Sequence, residues 1–467
     1  MAVLDTSVPV FRFFEEISAI PRPSGGEGAI GDYLEAFAAA RGLFCRRDEA
    51  GNVLIAAPAS PGREGEPPLL LQAHTDMIYL DPSAPLRLYM EDGWLRAENS
   101  TLGADDGAGV AMMLALLEDP GLSRPPLECL FTAGEEVGMA GVLRLGKDMF
   151  TAKRMVNLDG TGETETCVTS SGGRRLIAHC PVSFAESLLP CWMLTLGGMK
   201  GGHSGAEIGA GRANALQMGF RILYRMLERQ ADIRIIRIAG GKRENAIPSD
   251  FRVLFASSAP RTLLESASGQ VLREYRELYP EEPDLFAELE ETERVNSAMT
   301  PEDSGALISM GYLLPTGPQV PSPALGIPLV SLNLGVLEQT EGEVLFRFNI
   351  RSPHQSQRDE LSRQIEAVSS IFGGFVHLES DYPGWPRRAD SPLRETLRRV
   401  LAERGQTLRE LSLHVGLEAG IFHSICPDMD IITYGPVEED CHTRRERMDP
   451  ESLRRSCENL ARLLEIC

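Results

Sequence analysis

Short apolar runs alternate with segments of helical periodicity along the first 180 residues of the chain. A strand that is covered on both faces carries apolar side chains at successive positions, so four runs predict buried strands: 52–57, 69–73, 127–132 and 155–158. Residues 28–41 and 107–118 have apolar side chains at helical spacing and predict helices. This alternation predicts an α/β fold with a mainly parallel sheet flanked by helices.

The pattern changes near residue 187, where strands and helices no longer alternate regularly. Five strands are predicted at 191–196, 232–238, 252–257, 329–334 and 344–350, and three helices at 214–230, 261–279 and 357–372. A linker at 382–386 then leads to a helix at 392–404, a strand at 431–434 and a helix at 450–465. We therefore expect a catalytic domain formed by 1–186 and 384–467, with an inserted α+β lid domain at 187–383 that has antiparallel character.

Composition excludes several classes of partner. The formal net charge of −21 argues against nucleic acid and anionic membranes, since both require a basic surface. No apolar stretch approaches the ~20 residues of a membrane span, and the first residues lack the features of a signal peptide. The nine cysteines include no CxxC pair, which suits free thiols in a reducing compartment. These features predict a cytoplasmic protein.

Coordinating side chains follow three of the predicted strands. His74 follows the run at 69–73, Glu135 and Glu136 follow the run at 127–132, and Asp159 follows the run at 155–158. In an open α/β sheet, ligands bind beyond the carboxyl ends of the strands, so these side chains should share one crevice. Crowded carboxylates are costly unless a cation neutralises them. The pattern therefore predicts a metal-dependent hydrolase.

Two of these strand ends carry a second acidic residue. Asp76 lies two residues after His74, on the same side of an extended segment, where a carboxylate can fix the orientation of a histidine ligand. Glu135 and Glu136 are adjacent and point apart on an extended backbone, which allows one to bind metal while the other acts as a general base. A strand-end histidine with a turn aspartate, and a solvated acidic turn, are the plain alternatives.

Further candidates lie outside the strand ends. Asp105 and Asp106 occur among glycines at a helix start, where one carboxylate can bridge two cations and where Asp is also a common N-cap. Asp159 precedes Gly160 and could belong to a plain turn. His442 could be an ordinary loop histidine. The combination of these residues favours a metal centre more strongly than any one of them.

The motifs around these residues resemble those of the co-catalytic zinc metallopeptidases, a family that includes carnosinases, carboxypeptidase G and succinyl-diaminopimelate desuccinylase. They are LQAHTDM, TLGADDGAG, TAGEEVGM, MVNLDG and GMKGGHSGAEI. A second set is similar to the bacterial aminoacyl-histidine (Xaa-His) dipeptidases of that family: GGHSGAEIGAGRANA, NAIP, FNIRS, YPGW and GLEAGIF. The resemblance extends over nearly the whole chain, with the motifs in the family's order.

The resemblance implies a pair of zinc sites that share one ligand. One zinc is bound by His74, Asp105 and Asp159, and the other by Asp105, Glu136 and His442. Asp76 then orients His74, Glu135 is the general base, and a hydroxide bridges the metals. Mixed nitrogen and oxygen ligation suits zinc, with manganese and cobalt as alternatives. The resemblance also implies a cis peptide bond between Asp105 and Asp106.

The resemblance assigns further residues to substrate. It implies that His203 of the inserted domain stabilises the oxyanion, in many relatives from the other subunit of a dimer. Asn245, Arg351 and Gly416 are implied to bind the C-terminal side of the substrate, and a guanidinium suits a carboxylate. We therefore expect a homodimer acting on small peptides.

The expected activity is hydrolysis of unblocked dipeptides, in particular Xaa-His dipeptides of the carnosine type. An N-acyl amino-acid amidohydrolase or a broader di- and tripeptidase is the enzymatic alternative. A metal-free binding protein with the same fold is the non-enzymatic one. After His442, relatives read Ser/Thr-Pro-Asp-Glu where this chain has Thr443-Arg-Arg-Glu446, and these two cations could alter metal binding or substrate preference.

Overall fold

The structure is a computed structural model that describes residues 2–80, 86–322 and 326–467. Within these ranges there are ten α-helices: α1 (Pro9–Ser18), α2 (Gly28–Ala40), α3 (Ala104–Glu118), α4 (Ala215–Glu228), α5 (Arg261–Leu278), α6 (Pro301–Leu313), α7 (Gln355–Ile371), α8 (Pro392–Glu403), α9 (Glu418–Ile425) and α10 (Pro450–Ile466). None of the described helices is both long enough and apolar enough to span a membrane.

The strands of the described ranges are β1 (Phe44–Arg47), β2 (Val53–Ala57), β3 (Leu69–His74), β4 (Leu88–Glu91), β5 (Trp94–Ala97), β6 (Leu127–Thr132), β7 (Arg154–Asn157), β8 (Glu165–Ser170), β9 (Gly172–Pro181), β10 (Phe184–Glu186), β11 (Cys191–Gly197), β12 (Gly202–His203), β13 (Arg234–Gly240), β14 (Ala246–Ile247), β15 (Phe251–Ala256), β16 (Phe286–Thr292), β17 (Ser297–Met299), β18 (Gly317–Ser322), β19 (Ile327–Thr340), β20 (Glu343–Ser352), β21 (Phe375–Tyr382), β22 (Arg409–Leu413), β23 (Asp430–Thr433), β24 (Glu438–Glu439) and β25 (Arg447–Met448).

The chain divides into two compact units. Unit 1 comprises residues 1–169, 386–412 and 421–467, and unit 2 comprises residues 170–385 and 413–420. Unit 2 takes in residues 170–186, 384–385 and 413–420, which the predicted domain ranges assign to the catalytic domain. Pairing of β9 with both β20 and β21 explains the first of these differences, because it places residues 172–181 inside the sheet of unit 2.

Unit 1 contains a six-stranded sheet in the order β1-β2-β6-β3-β7-β23. The three pairings among β6, β3, β7 and β23 are parallel, whereas β1, β2 and β6 pair antiparallel. All six residues of β3 and of β6 are buried, as the predominance of apolar residues in both strands predicts. Helix α3 is buried on nearly every side and packs against β3 and α1. The parallel half of the sheet therefore brings the carboxyl ends of β3, β6 and β7 to one edge.

Unit 2 is built around a nine-stranded sheet in the order β16-β11-β15-β13-β19-β20-β9-β21, with β18 paired to β19. The recorded pairings in this sheet are antiparallel. Helices α4 and α6 pack on each other, and Phe220 of α4 stacks on Phe346 of β20 with ring centroids 5.5 Å apart. The predicted α/β class with an inserted α+β segment is confirmed.

Candidate metal centre

His74 is the last residue of β3, and its side chain is 1% exposed. Its Nδ1 donates to the backbone oxygen of Asp76 at 3.0 Å, and its Nε2 donates to Asp105 Oδ1 at 2.9 Å. Burial opposes protonation of His74, but the hydrogen bonds to Asp105 and Asp76 prevail and raise its pKa well above the ordinary value. The ring is thus held with one nitrogen facing backbone and the other facing a carboxylate.

Asp105 lies at the start of α3, where residues 105 and 106 depart from helical geometry. The peptide bond between Asp105 and Asp106 is cis, which confirms the prediction from the resemblance. The two oxygens of Asp105 contact different histidines, because Oδ1 accepts from His74 and Oδ2 accepts from His442 Nε2, each at 2.9 Å. Burial opposes ionisation of Asp105, yet these hydrogen bonds hold its pKa well below the usual range.

Asp106 has a different environment from its neighbour. Its Oδ1 accepts from the amide of Gly109 at 3.0 Å, which is the bond of an N-cap, and its Oδ2 accepts from the amide of His74 at 3.2 Å. Asp106 therefore caps the helix and ties its start to the end of β3.

Glu136 and His442 complete the group around Asp105. His442 Nε2 lies 2.9 Å from Glu136 Oε1 as well as from Asp105 Oδ2. A ring nitrogen carries one proton at most, and here it is directed at Asp105, so the buried Glu136 Oε1 accepts no hydrogen bond from any described group. The hydrogen bond to Asp105, together with the negative charge of Glu136 beside the ring, raises the pKa of His442 to about 11. A buried carboxylate oxygen that accepts no hydrogen bond and lies beside two imidazoles is typical of a metal ligand.

Asp159 and Glu135 lie in the same acidic environment. Burial raises the pKa of Asp159 well above its ordinary value, and the charge of Asp105 adds to this effect. Burial also raises the pKa of Glu135 to about 7, with the charge of Glu136 contributing in the same direction. The carboxylates of unit 1 are therefore crowded in the way the sequence predicted.

The turn after β6 differs from the prediction. Glu135 and Glu136 lie in a turn, where the amides of Gly138 and Met139 donate to the backbone oxygen of Glu135. The extended backbone predicted for this pair is wrong, because Gly134 adopts a φ of 65° and reverses the chain directly after the strand.

Asp76 is fully buried, and its carboxylate lies closer to the turn of Glu135 and Glu136 than to the His74 ring. Its carboxylate accepts from the amides of Glu135 and Glu136 at 3.0 and 3.2 Å, and lies 3.6 Å from His74 Nδ1. Burial opposes ionisation of Asp76, but the nearby His74 imidazole and the hydrogen bond from Ser24 lower its pKa to about 2. Asp76 thereby links the end of β3 to the turn that carries Glu135 and Glu136.

The sequence showed that Glu446 is an acidic residue near His442, but it did not indicate a role for it. It is 3% exposed, and its two oxygens accept from the amides of Leu102 and Ala104, both at 2.9 Å. It therefore supports the backbone that leads into Asp105. Of the two cations before it, Arg445 lies 3.6 Å from Asp440 with a side chain that is 76% exposed.

The remaining predicted residues belong to unit 2. Pairing of β12 with β14 sets His203 opposite Ala246, and the amide of Ser204 donates to the backbone oxygen of Asn245 at 2.9 Å. Burial lowers the pKa of His203, and the charge of Arg351 lowers it further, so these two side chains are near each other. The structure thus places Arg351 near His203, and the backbone of Asn245 beside the strand that carries His203.

His414 is a neighbour of this group that the sequence did not reveal. It lies two residues before Gly416 and is 4% exposed. Its Nδ1 lies 2.9 Å from Ser171 Oγ, and its Nε2 lies 2.6 Å from Ser331 Oγ. Burial, followed by the charge of Arg351, lowers the pKa of His414 to about 4, which keeps it neutral.

The side chains of unit 1 fit a divalent metal ion. One ligand atom each from His74, Asp105 and Glu136 lies within 4.8 Å of the others. Imidazole nitrogen together with carboxylate oxygen is the donor set of zinc, manganese and cobalt sites. A cation would bind the unsatisfied Glu136 Oε1. It would also stabilise the ionised form of Asp159, whose pKa is raised.

Known proteins are similar to this chain in sequence and in fold. The sequence profile of Peptidase family M20/M25/M40 matches residues 70–466. The chain belongs to this family. The cytosol non-specific dipeptidase of Escherichia coli (strain K12) is 32% identical over 464 residues, which are 95% of this chain and 94% of the relative. As a member of this peptidase family, the chain is a peptide hydrolase.

Solved structures agree with the family assignment. The crystal structure of the aminoacylhistidine dipeptidase from Vibrio alginolyticus matches with a TM-score of 0.92 at 30% identity, over 98% of this chain and 96% of that chain. The aminopeptidase PepT of Bacillus cereus has the same fold, with a TM-score of 0.57 at 15% identity over 99% of both chains. The resemblance stated from the motifs is thereby confirmed.

Proposed function

We propose that this M20-family member is a cytoplasmic dipeptidase that hydrolyses unblocked dipeptides, with Xaa-His and carnosine-type dipeptides among its substrates. Its relative from Escherichia coli is named a cytosol non-specific dipeptidase, and its structural relative from Vibrio alginolyticus an aminoacylhistidine dipeptidase. Both names support cleavage of dipeptides, and the first supports a cytoplasmic location and a substrate range wider than Xaa-His.

The observation that carries the proposal is the convergence of ligands on Asp105. His74 and His442 each approach one of its oxygens to 2.9 Å, and Glu136 lies beside His442. With Asp159, this set provides three ligands for each of two ions that share Asp105: His74, Asp105 and Asp159 for one, and Asp105, Glu136 and His442 for the other. We propose zinc as the physiological metal, with manganese and cobalt as substitutes.

The protein's own groups have separate tasks in the proposed reaction. Divalent ions supply Lewis acidity, which polarises a carbonyl oxygen and lowers the pKa of water toward neutrality. Glu135 has a carboxylate that no metal site in the proposal uses, so it is free to take a proton on its Oε atom and pass it to the departing amine. Asp76 keeps the turn of Glu135 in place through the backbone amides of that turn.

Residues of unit 2 are proposed to bind the substrate. Arg351 is 5% exposed, and its buried guanidinium suits the C-terminal carboxylate of a very short peptide. We assign Asn245 and Gly416 to the same end of the substrate, and His203 to the oxyanion. The low pKa of His203 keeps the ring neutral, so that it can donate a hydrogen bond to developing negative charge without itself carrying a charge.

A panel of substrates tests the proposal. Metal-stripped protein is reloaded separately with zinc, manganese or cobalt, and is assayed with carnosine, Ala-His, Leu-Gly, Gly-Gly-Gly and N-acetyl amino acids. We expect cleavage of the dipeptides, faster than of the tripeptide, and none of the acetylated compounds. Cleavage of acetylated compounds alone would indicate an amidohydrolase, and equal cleavage of Gly-Gly-Gly a broader di- and tripeptidase.

The same preparations test the non-enzymatic alternative. Elemental analysis after reloading should give two ions per chain. Glu135→Gln, which has a side chain of the same size but no basic carboxylate, serves as the inactive control. Protein that binds no metal and cleaves nothing would support a binding protein on this fold. Light scattering during gel filtration tests the proposed homodimer, which a mass near 51.1 kDa would contradict.

A further inference from the structure

A short segment between α1 and α2 contacts three parts of the candidate metal centre. These are the end of β3, the start of α3 and the turn after β6. This segment has the sequence Arg22-Pro-Ser-Gly-Gly-Glu27 and is called here the brace segment. It lies outside residues 70–466, which the family profile matches, and the proposed reaction gives it no task. Its contacts lie entirely within unit 1.

Arg22 lies at the centre of these contacts. Its side chain is 1% exposed, although an unpaired buried guanidinium is costly. Its Nη1 donates to the backbone oxygens of Thr75 and Asp76 at 2.9 and 3.3 Å, and its Nη2 donates to the backbone oxygen of Gly103. One planar group therefore ties the end of β3, which carries His74, to the loop that carries Asp105.

Local packing is matched to this guanidinium. A Cβ atom at Gly107 would lie 2.5 Å from Arg22 Nη2, and one at Gly103 would lie 2.8 Å from the same atom. Glycine at these two positions leaves room for the arginine. The backbone oxygen of Arg22 also accepts from the amide of Met77 at 3.1 Å, which holds the brace segment beside the end of β3.

Two further side chains of the brace segment extend the contacts to the general base. Ser24 Oγ donates to Asp76 Oδ2 at 2.7 Å, and Asp76 in turn accepts from the amides of Glu135 and Glu136. Glu27 Oε1 accepts from the amide of Gly134 at 3.0 Å, directly before that turn. The brace segment thus contacts the end of β3, the start of α3 and the turn after β6.

The charge of Arg22 complements the carboxylates around it. Burial lowers the pKa of Arg22, and the carboxylates of Glu446 and Asp76 oppose that effect. Glu446 accepts amides of the loop before Asp105, while Arg22 binds the carbonyl of Gly103 in the same loop. The loop is held through its donors on one side and its acceptor on the other, which fixes the position of Asp105.

We propose that the brace segment is a positioning element of the metal centre, in which Arg22 holds the strand that bears His74 and the loop that bears Asp105 at metal-binding distance. Arg22 is therefore a positioning residue and not a metal ligand or a catalytic group. This inference rests on the proposed function, because it assumes that the two segments bind metal together.

The test compares Arg22→Gln and Arg22→Lys with the wild type in metal-free protein. Cobalt is titrated into each protein, and the visible absorption of bound cobalt gives both the affinity and the ligand geometry. Outer contacts of ligands typically change metal affinity by about 10- to 100-fold, and we expect a loss of that size in Arg22→Gln together with an altered spectrum. Arg22→Lys, which keeps the charge but not the planar fork, should fall between Arg22→Gln and the wild type.

Arg394 provides a matched control in unit 1. It is 5% exposed, and its two terminal nitrogens donate to the backbone oxygens of Arg388 and Ala389 at 3.1 and 2.8 Å. Arg394→Gln should therefore lower the melting temperature of the metal-free protein as Arg22→Gln does, but leave cobalt affinity and spectrum unchanged. Folded Arg22→Gln with wild-type affinity and spectrum would overturn the proposal.

A milder variant covers the case in which Arg22→Gln does not fold. Ser24→Ala removes one hydrogen bond to Asp76 and should lower cobalt affinity several-fold while the fold is retained; wild-type affinity in this variant would then overturn the proposal. Failure of the proposed function has a different signature. If the wild type binds two ions but cleaves no peptide, the dipeptidase proposal is rejected, and the comparison of metal affinities among the variants still tests the brace segment. If the wild type binds no metal, the dipeptidase proposal and the proposal for the brace segment are both rejected.

Discussion

Replacing His414 by glutamine should make unit 2 less sensitive to mild acid. His414 is buried between the hydroxyls of Ser171 and Ser331, and the positive charge of Arg351 opposes its protonation. Burial, with the charge of Arg351, lowers its pKa from 6.5 to about 4. In the unfolded chain the same imidazole takes up a proton near its ordinary pKa, so acid favours unfolding.

The size of the effect follows from the difference between these two pKa values. The folded pKa is the lower one, so stability from neutral His414 is fully present above pH 6.5 and is lost as the pH falls toward 4. Linkage gives almost no contribution at pH 7.5 and a loss of about 2 kcal/mol at pH 5. Glutamine does not titrate and can still hydrogen-bond both serine hydroxyls, so the variant should lack this loss.

Tryptophan fluorescence can follow unit 2 alone. The chain has three tryptophans, and Trp94→Phe leaves Trp192 and Trp385, which both lie in unit 2. In that background, urea unfolding at pH 7.5 and pH 5 gives the free energy of unfolding with and without His414→Gln. His377→Gln, at an exposed position of the same unit, controls for loss of a histidine. Equal losses of stability in the wild type and in His414→Gln between the two pH values would refute the reasoning.

Three further predictions concern catalysis. Glu135→Gln should retain both ions but lose about 10²- to 10⁴-fold in kcat, the usual contribution of a general base; unchanged turnover would remove Glu135 from that role. Dialysis against a chelator should abolish cleavage and added zinc should restore it, so activity that survives complete metal removal would contradict the metal requirement. Arg351→Met should weaken binding of dipeptides by about 1.5–3 kcal/mol, measured as KM, because a charged hydrogen bond to the carboxylate is lost. C-terminally amidated dipeptides have no carboxylate, so their KM should be nearly the same for Arg351→Met and for the wild type. An equal rise in KM for amidated and free dipeptides would argue against recognition of the carboxylate by Arg351.

Local patterns predicted much of unit 1. The apolar run at 127–132 coincides with β6, and the run at 69–73 ends one residue before the end of β3 at His74. These predictions succeed because a strand that is covered on both faces is rich in apolar residues, and ligand-binding side chains lie beyond its carboxyl end. The ligand assignments needed the family resemblance as well, since Asp105 and His442 are 337 residues apart and no local pattern joins them.

Contacts between distant segments explain what the sequence did not reveal. Strand β9 pairs with β20, from Gly172 opposite Ser352 to Pro181 opposite Glu343, and that pairing moves residues 172–181 into unit 2. No sequence pattern distinguishes Arg22, because its partners are the backbone oxygens of residues 75, 76 and 103, which are distant in the chain. His414 lies in an ordinary strand-like sequence, and only its burial between two serines distinguishes it.

The order of the proposed ligands along the chain has a consequence for biosynthesis. His74, Asp105, Glu136 and Asp159 all precede unit 2, whereas His442 follows it, in the segment of unit 1 that begins at Ile421. A nascent chain that has emerged only as far as unit 2 therefore lacks one imidazole of the centre. If His442 is a ligand as proposed, the complete centre forms only after the returning segment is translated, and we expect chains that end before it to lack peptidase activity.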